Sequence, residues 1–191
     1  MKLLMQRMRL GVVLALAVLG AGLLAGARAQ AQFSVYGQAT GASLRGTNIA
    51  HVYGATFGMF DQIPVGRVLI GADFRGALMT RPSLHDPYND QAMDIGQFGL
   101  RVAGGPGLVG GLRNLQPYLE GSFGLGYWRG GVSPLRQDGN HFLLQAIAGA
   151  DYKLRQNVSW RVAEITYGRL GAVPGFLHPI TVSTGVVFRF Q

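Results

Sequence analysis

The stretch TVSTGVVFRF, residues 181–190, decides how this chain is read. Taken at a period of two, it puts Val182, Thr184, Val186, Phe188 and Phe190 on one face. Thr181, Ser183, Gly185, Val187 and Arg189 fall on the other. One face suits hydrocarbon; the other suits water or a polar interior. A strand of about 9 to 11 residues crosses a bilayer at the tilt of a β-barrel, and such strands alternate apolar-out with polar-in. The same pattern would also serve the closing strand of a soluble β-sandwich, so the rest of the chain must choose between the two.

The opposite end points to export. Residues 1–31 have a basic start (Lys2, Arg7, Arg9), an uncharged run over residues 10–27, and small residues before a cut. Ala27-Arg28-Ala29 and Ala29-Gln30-Ala31 both fit the cleavage pattern, so the mature chain is expected to begin at Gln30 or Gln32. The apolar run is marginal for a membrane anchor, and the clean cleavage sites favour removal. The predicted division is a signal peptide over 1–31 and one domain over 32–191, too short for a barrel plus a second globular module. Cysteine is absent. That excludes disulfides, lipoprotein acylation, Cys-based zinc sites and thiol catalysis.

The formal charge of +8 overstates the mature balance, because four of the 17 basic residues (Lys2, Arg7, Arg9, Arg28) lie in the leader. The remaining Lys and Arg are spread singly, without a run or an adjacent stacking motif, which argues against nucleic acid as a partner. The 30 glycines matter more. Glycine is a poor helix former and marks turns and close backbone approach in strands, and no helical period follows the leader.

Eight alternating segments do follow it: residues 33–44, 51–61, 66–79, 93–103, 115–129, 141–154, 158–169 and 179–190. In the third, Val68, Ile70, Ala72, Phe74 and Leu78 share a face, and Arg67, Gly71, Asp73, Arg75 and Ala77 share the other. In the fifth, Leu119, Phe123, Leu125 and Tyr127 oppose Tyr118, Glu120, Ser122, Gly124 and Gly126. Periodicity alone does not say which face is inside, since a soluble barrel and a membrane barrel are inverses of each other. The connections do. Those at 45–50, 80–92, 130–140 and 170–178 are polar or irregular, whereas 62–65 and 155–157 are short, the asymmetry of a membrane barrel. The exception is GGPGLVGGLRN, residues 104–114, a long connection on the short-turn side.

With this leader, strand count and terminal strand, the chain resembles the eight-stranded barrels of the outer-membrane protein A and X superfamily over essentially the whole mature length. GADYKLRQNVSWRVAEITY, residues 149–167, is similar to the penultimate hairpin of that family. The terminal strand also resembles the C-terminal assembly signal of outer-membrane barrels through Phe188 and Phe190, departing from it in that Gln191 follows. The fold so implied is an all-β, antiparallel up-and-down transmembrane barrel in the outer membrane of a Gram-negative bacterium. Its implied partners are outer-membrane lipid and, during biogenesis, the barrel assembly machinery and periplasmic chaperones; the barrel is expected to be a monomer. The peptidoglycan-binding domain of larger members is not carried over, since the sequence stops at Gln191.

Candidate chemistry is sparse, and neither a cofactor nor a metal is expected. Residues 104–111 superficially resemble a phosphate-cradling loop but lack the Lys-Ser/Thr and the following helix, so they read as a turn. Ser83, His85 and Asp86 supply the residue types of a hydrolytic triad within four positions of one irregular loop, where fixed triad geometry is hard to hold. His51, His85, His141 and His178 collect toward the long-connection end. A barrel of eight strands has an interior only wide enough for its own side chains. Arg67, Asp73, Arg75, Arg101, Glu120, Asp151, Lys153, Arg161 and Arg189 are therefore expected to pair with one another in a plugged lumen. A three-residue turn at 155–157 would set Asp151 against Arg161 inside and Tyr152 against Trp160 outside. Aromatic girdles are expected from Tyr152, Trp160, Phe188 and Phe190 at one end and Tyr53 and Tyr127 at the other. Glu164 breaks the pattern, falling in phase with lipid-facing Trp160 and Val162; either a bulge near Ala163 switches the phase or the strand is misread. The leading expectation is a non-catalytic barrel with a structural or surface-interaction role. The alternative is a narrow porin-like channel or solute-binding barrel, followed by a soluble secreted barrel and a lipid-acting enzyme.

Overall fold

A computed structural model describes residues 32–45, 49–81, 91–105, 114–130, 137–172 and 175–190. The predicted signal peptide, Ser83, His85 and Asp86, most of the 104–111 loop, and Gln191 lie outside the described residues. Eight strands run in chain order: β1 (Gln32–Arg45), β2 (Ile49–Val65), β3 (Val68–Arg81), β4 (Gln91–Gly104), β5 (Leu115–Gly130), β6 (Gln137–Lys153), β7 (Val158–Ala172) and β8 (Gly175–Phe190). Each pairs antiparallel with its sequence neighbours, and β1 pairs with β8, closing the barrel. Closure leaves no free sheet edge, so every strand finds its ladder partners within the chain.

The sequence alternation becomes the two sides of this wall. Leu100, Leu119 and Leu125 are each more than 60% exposed on the outside, whereas Arg101 and Arg161 are 0% exposed within. Tyr152, Trp160, Phe188 and Phe190 face outward at the end bearing the short turns, and Tyr53 faces outward at the other.

The strands outrun the sequence segments. β2 continues to Val65, so 62–65 is strand, and the reversal is Gly66-Arg67. Gly66 takes a φ of 63°, a left-handed conformation that suits glycine. The β6–β7 reversal spans residues 154–157, where the Leu154 N–H donates to the Val158 carbonyl at 3.0 Å.

The lumen is layered rather than uniformly polar. Toward the long-connection end it is filled by an apolar cluster that includes Leu44, Val52, Met79, Met93, Ile95, Trp128, Leu143 and Leu170. Toward the short-turn end it holds charges and aromatics. That lower half is the candidate site.

Candidate functional site: the ion-pair cluster of the lumen

Inward-facing positions on five strands converge on two carboxylates. Asp151 of β6 stands opposite Arg161 of β7, and its Oδ1 accepts the Arg161 Nε–H at 2.8 Å. Asp151 Oδ2 accepts from Arg101 of β4 at 2.8 Å and lies 3.5 Å from Arg189 Nη2 of β8. Glu164 of β7 accepts from Arg75 Nη1 of β3 at 2.5 Å, from Arg161 Nη1 at 3.1 Å, and from the Tyr118 hydroxyl of β5. Arg75 also donates to Glu120 at 3.2 Å and lies 3.7 Å from Asp73, whose Oδ1 accepts the Tyr36 hydroxyl at 2.9 Å. Arg75, Arg101, Arg161 and Arg189 thus face Asp73, Glu120, Asp151 and Glu164. Charges this far from water are tolerated because each has an opposite within reach.

Glu164 enters the lumen through a β-bulge. On the β6 side Ala150 pairs with Ala163 and Asp151 with Arg161; on the β8 side Arg161 pairs with Gly185 and Glu164 with Ser183. Val162 and Ala163 therefore occupy the place of one residue, and both face outward. The extra residue reverses the phase of everything after it, so Glu164 is 1% exposed inside the barrel. Glu164 is absent from the set of lumen charges expected from sequence. The signal for it was its conflict with Trp160 and Val162.

Aromatic rings complete the packing. The Arg101 guanidinium lies 3.5 Å from the Tyr118 ring centroid and 4.3 Å from that of Phe60; Arg161 lies 4.3 Å from that of Tyr36. These are cation–π distances, strengthened where water is excluded. Tyr36 and Tyr118 reach across the lumen wall because each is paired with a glycine, Gly58 and Gly149 respectively. A Cβ placed at Gly149 would fall 2.6 Å from Tyr118 Cζ, so the ring occupies the space a side chain there would need.

Of the nine charges expected inside, Asp73, Arg75, Arg101, Glu120, Asp151 and Arg161 are buried in the cluster. Arg189 is half-buried at its rim, donating to Gln116 at 2.7 Å and Ser159 at 3.2 Å. Arg67 and Lys153 correct the expectation. Arg67 sits in the two-residue β2–β3 turn and is exposed, because β2 extends four residues beyond Asp61. Lys153 is the last residue of β6, opposite Ser159, and is exposed at the barrel rim. Phe188 and Phe190 lie on the outer face of β8, with Phe190 against Phe33 at a centroid distance of 6.1 Å.

The histidines do not assemble. His51 is exposed on β2, His141 lies on β6, and His178 on β8 stacks against Tyr167 at 6.1 Å; His85 lies outside the described residues. Among the described residues no three His, Asp or Glu side chains are grouped to hold a metal ion.

No family model matches the chain, and no curated relative matches it. Among solved structures, Neisserial surface protein A is similar at 15% identity and a TM-score of 0.56, covering 83% of this chain and 97% of its own. The N-terminal β-barrel domain of Pseudomonas aeruginosa OprF has 18% identity and a TM-score of 0.48, over 84% of this chain and 100% of that one. A major outer membrane protein from Thermus thermophilus has 15% identity and a TM-score of 0.49, over 84% and 99%. At 15% identity the likeness to Neisserial surface protein A is one of fold alone, and the fold of this chain is a closed barrel of eight antiparallel strands.

Proposed function

We propose that this protein is an integral outer-membrane barrel, non-catalytic, whose lumen is plugged by its own side chains and whose role is structural or surface-interacting. The observation that carries the reading is the inverted polarity of the wall. Leu100, Leu119, Phe123, Leu125, Phe142, Leu144, Ile165 and Val182 expose half or more of their surface outside, a continuous apolar exterior that soluble monomers rarely expose. Arg75, Arg101 and Arg161, in contrast, are buried inside the barrel with their carboxylate partners. Hydrocarbon is the surrounding that satisfies both facts.

In this reading residues 1–31 are the cleaved export signal, the short turns face the periplasm, and the long connections face outward. The barrel is a monomer bathed in outer-membrane lipid, delivered there by periplasmic chaperones and the barrel assembly machinery. The cluster around Asp151 and Glu164 supports a plug rather than a channel, since its groups bond to one another across the lumen. Fold alone assigns no activity.

Membrane fractionation with a heat-modifiability gel tests location and closure together. The protein is expected with outer membranes, migrating faster unheated than boiled. Recovery in the soluble periplasm with mobility indifferent to boiling would reject the membrane reading. Liposome conductance then separates the plug from the narrow-channel or solute-binding alternative: the plugged barrel is expected to be silent.

A further inference from the structure

Between the ion-pair cluster and the apolar cluster lies a level of the lumen whose polar groups are unanswered. Gln38, Gln97 and Gln145 are 5–7% exposed. Both amide atoms of Gln38 and Gln97, and Nε2 of Gln145, have no hydrogen-bond partner among the described residues. Buried amides in folded proteins are nearly always bonded, to protein or to ordered water.

Gln97 and Gln145 line a cavity of ≈ 10 Å³, about the space one water needs. Thr40, Thr56 and Ser183 line it too, and these three hydroxyls form a chain, Thr56 to Thr40 at 2.8 Å and Thr40 to Ser183 at 2.9 Å. Three hydroxyls carry three protons and their two mutual bonds use two, leaving one O–H and several lone pairs over. The lining therefore offers donors and acceptors together. Arg75 and Glu164 also line the cavity, already bonded to each other, so it presents no uncompensated charge to attract an ion.

The opposite wall is different in kind. Ala77, Met79 and Ile95 line the cavity and belong to the apolar cluster, which continues through Met93, Leu143 and Leu170 toward the long-connection end. Leu143 and Leu170 are 0% exposed. A water leaving the cavity in that direction would have to pass among these apolar side chains, which offer it no hydrogen bond.

We infer that the middle of the lumen is a water-binding site, in which bound water bridges the amides of Gln97 and Gln145 to the Thr40 hydroxyl chain, and that the apolar cluster is the dry seal that retains it. The inference rests on the plugged-lumen reading and adds where the plug is wet and where it is dry. It places the seal in the apolar half, not in the ion pairs.

The test uses the full barrel refolded in micelles, with water-to-proton cross-relaxation read at the glutamine side-chain amides and the leucine methyls. Cross-peaks to long-lived water are expected at Gln97 and Gln145, and none at the methyls of Leu143 and Leu170. Ala77→Val projects extra methyls into the cavity and should abolish the amide cross-peaks while the protein stays heat-modifiable. Should Ala77→Val not fold, Thr40→Val removes the central hydroxyl at nearly constant volume and is expected to lose the same peaks. Ile95→Ser should extend water contact to the leucine methyls. Folded wild type without water cross-peaks at either amide would overturn the site, as would peaks unchanged in the folded variant that fills or strips it. Water already in contact with Leu143 and Leu170 in wild type would overturn the seal. Ion conductance in liposomes would instead defeat the underlying plugged-lumen reading, so the two failures are distinguishable.

Discussion

Asp151 stands directly across the β6–β7 pair from Arg161, and the carboxylate and guanidinium meet at 2.8 Å inside a barrel whose wall leaves both side chains fully buried. Asp151 is also shared with Arg101 at 2.8 Å and Arg189 at 3.5 Å, whereas Arg161 has a second partner in Glu164. Breaking a buried pair by removing one member strands the other and costs about 3–5 kcal/mol. Asp151→Ala leaves three arginines short of an anion; Arg161→Ala leaves Asp151 with two remaining partners. Both should lower the urea midpoint of the refolded barrel, Asp151→Ala by more, and the double variant should lose less than their sum. Strictly additive losses would mean that the two residues are not coupled.

The bulge at Val162 and Ala163 makes a prediction of opposite sign to intuition. Deleting Ala163 would ordinarily be expected to flip every later side chain of β7 through the wall. Here it removes the one residue in excess, so Arg161, Val162 and Glu164 would alternate in, out, in, and Glu164 would stay in the lumen. The deletion should therefore leave a heat-modifiable barrel. Glu164→Leu, which keeps the bulge but takes the carboxylate from Arg75 and Arg161, should cost about 3–5 kcal/mol by the same stranded-charge penalty. A deletion variant that fails to fold while Glu164→Leu unfolds normally would show that the bulge geometry matters more than the charge it delivers.

The contrast between these two sites shows where the sequence was legible. Tyr152 and Trp160 are large, apolar and in phase, so the register of their hairpin, and with it the Asp151–Arg161 pair, could be read from parity alone. Glu164 could not be placed the same way, because a bulge changes parity without changing composition. The end of β2 was hidden for a different reason. Residues 62–65 are expected as a short connection, whereas in the structure they continue β2, with Pro64, which has no N–H to give the ladder, exposed one residue before the strand ends. With β2 ending at Val65 and β3 beginning at Val68, the turn falls on Gly66 and Arg67, which puts Arg67 outside the lumen. The apolar half of the lumen was obscured because Leu143 and Met93 look alike in sequence whether they meet lipid or one another.

Two glycines on neighbouring faces should respond differently to the same methyl. Gly149 lies under Tyr118, and a Cβ there would approach Tyr118 Oη to 2.5 Å. Gly149→Ala should push the ring off Arg101 and loosen its bond to Glu164, costing about 1–3 kcal/mol as an overpacked site. Gly121 faces outward, and a Cβ there meets nothing within 4 Å. Gly121→Ala should be neutral or stabilise by about 0.4–1 kcal/mol, by restricting the unfolded chain. Urea midpoints with unchanged slopes would measure both; equal effects would remove the Tyr118 contact from the explanation.

Phe190 closes the barrel and ends β8, so its role in folding divides into two that can be separated by measurement. Within the barrel it pairs with Phe33 across the β1–β8 seam, and its ring lies 6.1 Å from that of Phe33. Outside the folded state, its resemblance to the terminal assembly signal predicts a second role, as a recognition element for the assembly machinery. Removing Phe190 together with Gln191 takes away one aromatic seam contact, of a kind worth about 0.5–1.5 kcal/mol beyond the area it buries, and the recognition element at once. Refolding from urea into detergent involves only the first; assembly in cells involves both. The truncation should therefore lower folded yield more in cells than in detergent, and Phe188→Ala should have a smaller effect in the same direction. Equal losses in both settings would assign Phe190 to the seam alone, and unchanged yield in both would remove it from either role.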